Sequence, residues 1–217
     1  GVLYSTEPFL GEAYRDAIAE VNARRPGSFG RVPELGEILQ HIGWPVPTIL
    51  ARLFPNADPE AVRILFDVSL DVICAGVAAG KGVLYEGVPE TLRKLCDHDA
   101  VSVVASNGRR RYVETVLRTY DLERYFGPLL SVDAATAPEK HFLLRGYMER
   151  YGVGTDRLRM VGDRASDVEA AQAVGCRFIG CDYGHGHRDE IEGHGPIVSR
   201  FSDLFDAITG DSGGTPA

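Results

Sequence analysis

Apolar residues recur at intervals of three and four through the first third of the chain. Leu10, Ala13, Tyr14, Ala17, Ile18 and Val21 trace one face at helical spacing, with charged residues between them. A second helix is announced at Asp58-Pro59-Glu60. Asp58 can cap free amides and Pro59 suits a first turn, after which Val62, Leu65, Phe66 and Ile73 continue a buried stripe. Between Glu7 and Ala79 no stretch carries a strand signal. After Gly80 the pattern changes. Short β-rich runs at 101–105, 129–132, 158–161 and 177–181 alternate with helical patterns at 111–120, 141–151 and 167–173, joined by short glycine-containing links. This alternation predicts a parallel sheet covered by helices on both faces. No internal repeat is present, and only the closing Gly-Asp-Ser-Gly-Gly-Thr-Pro-Ala reads as low complexity.

Composition narrows the class without changing this picture. In 217 residues, 44% hydrophobic content suffices for one large core, or a core and a small second one, and excludes a disordered chain. A formal charge of −8 argues against a nucleic-acid surface, since phosphate binding needs clustered Lys and Arg. The single dense basic run, Arg109-Arg110-Arg111, is too short for a binding face and reads as a solvated helix start. No apolar stretch approaches the roughly 20 residues of a membrane span, and no leader pattern opens the chain, so a soluble, cytoplasmic protein is expected. Cys74, Cys96, Cys176 and Cys181 show no repeated C-x-x-C spacing; reduced thiols and no cysteine-bound metal follow.

In such sheets ligands gather at the carboxyl ends of the strands. Three of those ends carry chemistry. Ala105-Ser106-Asn107-Gly108 places a small hydroxyl and a turn before a helix whose free amides favour an anion, although turns of this composition are common. Ala137-Pro138-Glu139-Lys140 brings a lysine to a helix start, where a solvated charge is the ordinary reading. Met160-Val161-Gly162-Asp163-Arg164-Ala165-Ser166-Asp167 is the informative end. Asp163 follows an apolar strand and Asp167 lies one turn on, so both carboxylates can face one point, either as helix caps or around a shared hard cation such as Mg²⁺.

Together, in this order, the three ends resemble the haloacid dehalogenase superfamily. There a hydroxyl after the second core strand, a lysine after the third and G-D-x-x-x-D after the fourth surround a phosphoryl site. Here those positions are Ser106, Lys140 and Gly162-Asp163 with Asp167. The likeness spans nearly the whole chain. Tyr85-Glu86-Gly87-Val88-Pro89 looks like the family's re-entry to its core, and residues 183–190 resemble the corresponding loop of phosphoglycolate-phosphatase-like members. The resemblance implies a Rossmann-like α/β core from residues 1–6 and 81–210 and an inserted all-helical cap from residues 7–80; composition adds a disordered tail at 211–217.

The opening Gly1-Val2 matches the last two letters of the family's D-x-D-G-(T/V), whose first aspartate is the nucleophile and whose second is a general acid and base. The resemblance therefore implies that both aspartates stand ahead of Gly1, on a central strand without which the sheet would be left unpaired, and that a chain starting at Gly1 is inactive. Asp97-His98-Asp99 copies the spelling, yet it precedes the strand at 101–105 and so lies about 17 Å from the carboxyl edge, at about 3.3 Å per residue. It reads as a turn.

The implied activity is Mg²⁺-dependent hydrolysis of a small phosphorylated metabolite through an aspartyl-phosphate. Ser106 and Lys140 would steady the phosphoryl charge, Asn107 and Gly108 would offer side-chain and backbone donors, and Asp163 would help hold the ion. Asp167 is the second candidate ligand, though better placed to hold Lys140 or a metal-bound water. A dehalogenase would lack the G-D-x-x-x-D pair. A phosphomutase would share every core residue, and a non-catalytic binding protein would keep only the pocket. His185 and His187 form an H-x-H that could suggest zinc but reads as polar loop surface. Trp44 and Phe54 could contact substrate but read as cap core. A monomer or homodimer is expected, and nothing in Arg24, Arg25, His41, Trp44 or Arg52 identifies the substrate.

Overall fold

The structure, a computed structural model, describes residues 1–130 and 139–210. Along the chain the elements are β1 (Tyr4–Ser5), α1 (Glu7–Arg24), α2 (Leu35–Leu39), α3 (Val46–Leu53), α4 (Pro59–Ala78), β2 (Val83–Leu84), α5 (Val88–Asp97), α6 (Arg110–Thr119), α7 (Lys140–Tyr151), β3 (Arg159–Gly162), α8 (Ala165–Val174), β4 (Arg177–Cys181), β5 (Ile197–Val198) and α9 (Leu204–Thr209). They form two compact units. One holds Gly1–Leu3, Leu84–Ser106 and Leu122–Ala217; the other holds Tyr4–Val83 and Asn107–Asp121. The architecture is a Rossmann-like α/β core with an inserted helical cap. The expected tail at 211–217 lies outside the described residues.

The cap is built on the stripes visible in the sequence. Pro8 opens α1, whose buried face is Phe9, Leu10, Ala13, Tyr14, Ala17, Ile18 and Val21. In α4 the Asp58 carboxylate accepts from the Glu60 amide at 3.2 Å, ahead of Pro59, as N-cap chemistry requires. These faces meet Ile38, Ile49, Leu50, Leu53 and Phe54 in one apolar cluster, where Phe29 and Phe54 pack edge to face at 4.7 Å. Trp44 departs from its expected core position. It is 43% exposed, with the Arg52 guanidinium 4.3 Å above its ring, because a guanidinium stacked on an indole covers one face while leaving the ring edge in water.

The basic run is a second departure. Arg109 donates to the Phe66 carbonyl at 2.5 Å, lies 3.2 Å from Asp67 and stacks 3.8 Å from the Phe66 ring. Arg111 pairs with Asp71, and Arg110 stays on its own helix with Glu114. Two of the three arginines thus fasten α6 to α4, whose Asp67 and Asp71 are one turn apart. That interhelical pairing has no signature in local sequence.

In the core, β3, β4 and β5 form a parallel sheet in that order. Arg159 pairs with Arg177 through to Gly162 with Gly180, and Cys181 pairs with Val198. The runs expected at 158–161 and 177–181 are β3 and β4. α8 lies against both, and Met160, Phe178, Val168, Ala170, Ala171, Leu144 and Ile191 close one core. Among the described residues the run at 101–105 is not a regular strand: only Ser102 pairs, in a parallel bridge to Phe126. β-rich composition supplies a strand's side chains but not its partner. Instead the Tyr147 hydroxyl of α7 donates to the Val104 carbonyl at 3.0 Å and accepts from the Leu130 amide at 2.8 Å, taking the place of ladder bonds. Residues 129–130 belong to no strand, and the remainder of the expected 129–132 run lies outside the described residues. Asp97 ends α5 and Asp99 takes φ 58°, which makes the Asp97-His98-Asp99 segment a turn.

Candidate active site

β3 ends at Gly162, so Asp163 is the first residue beyond the sheet's carboxyl edge, and Asp167 is the third residue of α8. Glycine at 162 is a steric requirement. A Cβ there would stand 2.2 Å from the Asp167 Cβ, because the Asp167 side chain turns back towards the strand end. Its Oδ2 accepts from the amides of Asp163 (3.2 Å) and Arg164 (3.1 Å), satisfying donors at the start of the helix. Its Oδ1 faces Lys140 Nζ at 2.5 Å. The capping and lysine-holding roles are both filled, one by each oxygen.

Lys140 is the first residue of α7 and buried, with Ser166 Oγ 3.3 Å from its ammonium. A helix amino end disfavours a cation, and burial disfavours it further, so the Asp167 carboxylate is the compensation this position needs.

Asp163 is 3% exposed. Its Oδ1 lies 3.2 Å from the Gly1 amino nitrogen, and its Oδ2 accepts from the His185 amide at 2.8 Å. Burial alone would raise this carboxyl. The Gly1 ammonium and the His185 N–H outweigh it and hold the group below the usual carboxylate range. The chain's opening residues are anchored around this point, with Tyr183 Oη donating to the Val2 carbonyl at 3.3 Å and the Tyr85 amide to the Leu3 carbonyl at 3.0 Å.

Lys140, Asp163 and Asp167 are therefore brought together at one strand end. Ser106 belongs to the same compact unit, whereas Asn107 and Gly108 fall in the helical unit, where Asn107 Nδ2 donates to the Gly43 carbonyl at 2.7 Å. Among the described residues no group of three or more His, Cys, Asp or Glu side chains stands together as a metal cluster. Both Asp167 oxygens are engaged by Lys140 and the two amides, whereas the hydrogen bond from the His185 amide engages Oδ2 of Asp163.

The 183–188 loop escaped a purely polar-surface reading. It folds onto Asp163 so closely that a Cβ at Gly186 would lie 1.6 Å from the Asp163 carbonyl oxygen. The alternating Gly184-His185-Gly186 was the available signal, because close backbone approach demands glycine. Glu190 secures the loop, reaching the Ala165 amide at 3.0 Å, the His187 amide at 3.2 Å and Arg164 Nε at 3.1 Å.

Similarity to known proteins agrees with this geometry. The family model of the haloacid dehalogenase-like hydrolases matches residues 1–181. Phosphoglycolate phosphatase of Pectobacterium atrosepticum is 30% identical over 215 residues, covering 96% of this chain and 88% of that protein. Its namesake in Haemophilus influenzae (strain 86-028NP) is 26% identical over 217 residues, covering 94% and 93%. The crystal structure of a predicted phosphoglycolate phosphatase from Haemophilus somnus 129PT shares the fold, with a TM-score of 0.81 at 19% identity over 94% of this chain and 92% of that one. The chain belongs to the haloacid dehalogenase-like hydrolases, on their phosphoglycolate-phosphatase-like side.

Proposed function

We propose that the protein is a Mg²⁺-dependent phosphomonoester hydrolase that acts on a small phosphorylated metabolite through an aspartyl-phosphate. The observation that carries this reading is the buried Lys140–Asp167 pair set against Asp163 at the end of β3. A phosphoryl group is nearly all charge, and its transfer needs positioned cations in a site that excludes water. Lys140, held by Asp167, would present its ammonium to the phosphoryl oxygens, and Ser106 would donate its hydroxyl. With one side-chain N–H on the Gly43 carbonyl, Asn107 keeps its second side-chain N–H and its backbone N–H as donors, beside the backbone N–H of Gly108. Asp163 would hold the ion, whose contribution when bound is to neutralise charge on the phosphoryl oxygens.

In the family pattern the attacking carboxylate stands ahead of Gly1. The named relatives make phosphoglycolate the first substrate to try. A cytoplasmic setting agrees with four free cysteines among the described residues.

The test is phosphate release from a panel of small phosphate esters by the full-length protein, with Mg²⁺ and with chelator. Hydrolysis that requires Mg²⁺ and falls with Asp163→Asn supports the reading. Full activity in chelator removes the metal role. Phosphate binding without turnover makes the protein a binding member of the family.

A further inference from the structure

Arg164 is an awkward residue for its place. It is the N-cap of α8, directly after Asp163, with an extended backbone (φ −130°, ψ 156°). An arginine there brings no side-chain acceptor for the first amides of the helix and sets a cation against the positive end of its dipole. The side chain is also only 12% exposed, so water does little for its charge. Glu190, on the loop after β4, answers each of these deficits. Its Oε2 accepts from the Ala165 amide at 3.0 Å and lies 3.1 Å from Arg164 Nε, while its Oε1 accepts from the His187 amide at 3.2 Å. The arginine stem runs close to Asp163: a Cβ on Gly186 would stand 1.6 Å from the Asp163 carbonyl oxygen and 3.0 Å from Arg164 Cδ. All of these groups belong to one compact unit.

The charges at this strand end pair selectively. Lys140 is held by Asp167 and Arg164 by Glu190, and Asp163 takes part in neither pair. Asp163 fits a hard cation by its donor chemistry, since carboxylate oxygens are the ligands Mg²⁺ takes. We infer that Glu190 is a positioning residue for that cation site: it neutralises and holds the Arg164 guanidinium, one residue from Asp163, which would otherwise compete with a divalent cation for the Asp163 carboxylate. Without Glu190 a largely buried positive charge would either turn towards the nearest carboxylates, Asp163 and Asp167, or stay in place and repel the incoming ion. Both outcomes weaken cation binding, because charges a few ångströms apart in a site shielded from water are poorly screened. The inference rests on the reading of Asp163 as a Mg²⁺ ligand.

The test is Mg²⁺ binding by the full-length protein, followed by isothermal titration calorimetry and by the rise in unfolding temperature that bound Mg²⁺ produces, with far-UV circular dichroism as the fold control. Glu190→Gln should weaken Mg²⁺ binding about tenfold, the scale on which groups behind a metal ligand act. Adding Arg164→Gln to it removes the stranded charge and should restore binding to within about threefold of wild type. Arg164→Gln alone leaves the Glu190 bonds to the Ala165 and His187 amides in place and should bind Mg²⁺ at least as tightly as wild type. Wild-type affinity in Glu190→Gln overturns the inference. So does a double variant as weak as Glu190→Gln, which would make Glu190 a brace for the loop and not a keeper of charge. Weaker binding in Arg164→Gln alone overturns it too, and that arm decides the matter even where Glu190→Gln does not fold. Wild type that takes up no Mg²⁺ removes the metal reading itself and this inference with it, whereas the other three outcomes leave the metal reading standing.

Discussion

Lys140 Nζ and Asp167 Oδ1 stand 2.5 Å apart, joining the first residue of α7 to the first turn of α8. Both side chains are almost fully buried. A buried pair of this kind owes little net stability to its own attraction, but removing one member strands a charge in the interior. Lys140→Met should therefore cost about 3–5 kcal/mol. Asp167→Asn should cost a similar amount, since the amide would also turn a donor towards the ammonium. Urea unfolding measured by circular dichroism checks both. Losses below about 1 kcal/mol would show that the site is far wetter than its burial indicates.

Tyr147 makes a second link of the same type with neutral groups. Its hydroxyl lies between the Val104 carbonyl and the Leu130 amide, in a side chain 1% exposed. Tyr147→Phe keeps the packing with Leu143, Val103 and Ala105 but leaves both backbone groups without this partner. The expected cost is about 1–3 kcal/mol, accompanied by faster hydrogen exchange at the Leu130 amide. Unchanged exchange there would mean that the hydroxyl does not carry the contact between these two segments.

These two links also show where the sequence was legible. The stripes of α1 and α4, the Asp58-Pro59 start and the strands at β3 and β4 follow from local periodicity and capping, which act over a few residues. The Gly162-Asp163 end and Asp167 were readable for the same reason. What stayed hidden depends on partners distant in the chain. Among the described residues the run at 101–105 meets a strand partner only at Ser102, Arg109 and Arg111 find α4, and Asn107 finds Gly43. No periodicity records such meetings. The 183–188 loop lies between these cases, since its glycines signalled a close approach without naming Asp163 as its target.

The four thiols should separate by environment. Cys96 is exposed and Cys176 partly so, while Cys74 and Cys181 are buried. Burial, reinforced by the nearby Asp163 charge and only partly offset by a hydrogen bond with Tyr183, pushes the Cys181 thiol up to about 12. A thiol in that state is almost wholly protonated at neutral pH and is a poor nucleophile. Labelling of the native protein at pH 7.5 should modify Cys96 first and leave Cys74 and Cys181 intact until denaturant is added, as mass spectrometry of the digested protein would show. Early modification of Cys181 would contradict the closed packing of β4 against its neighbours.

Glycine at 186 gives the sharpest steric test of the site. An alanine Cβ there would meet the Asp163 backbone oxygen at 1.6 Å, a contact with no flexible side chain to yield, so the loop itself must move. That movement withdraws the His185 amide, which donates to Asp163 Oδ2 at 2.8 Å. Gly186→Ala should lower stability by about 1–3 kcal/mol. As a control, Gly36→Ala in α2, where an added Cβ meets nothing within 4 Å, should be neutral or stabilising by up to about 1 kcal/mol. Because Asp163 loses a donor that favours its charged form, Gly186→Ala should also weaken any Mg²⁺ dependence of phosphate release more than Gly36→Ala does. Thermal unfolding of the two variants checks the steric claim, and Mg²⁺ titration of activity checks the chemical one. Equal stability of the two variants would mean that the 183–188 loop does not close on Asp163 as the structure has it.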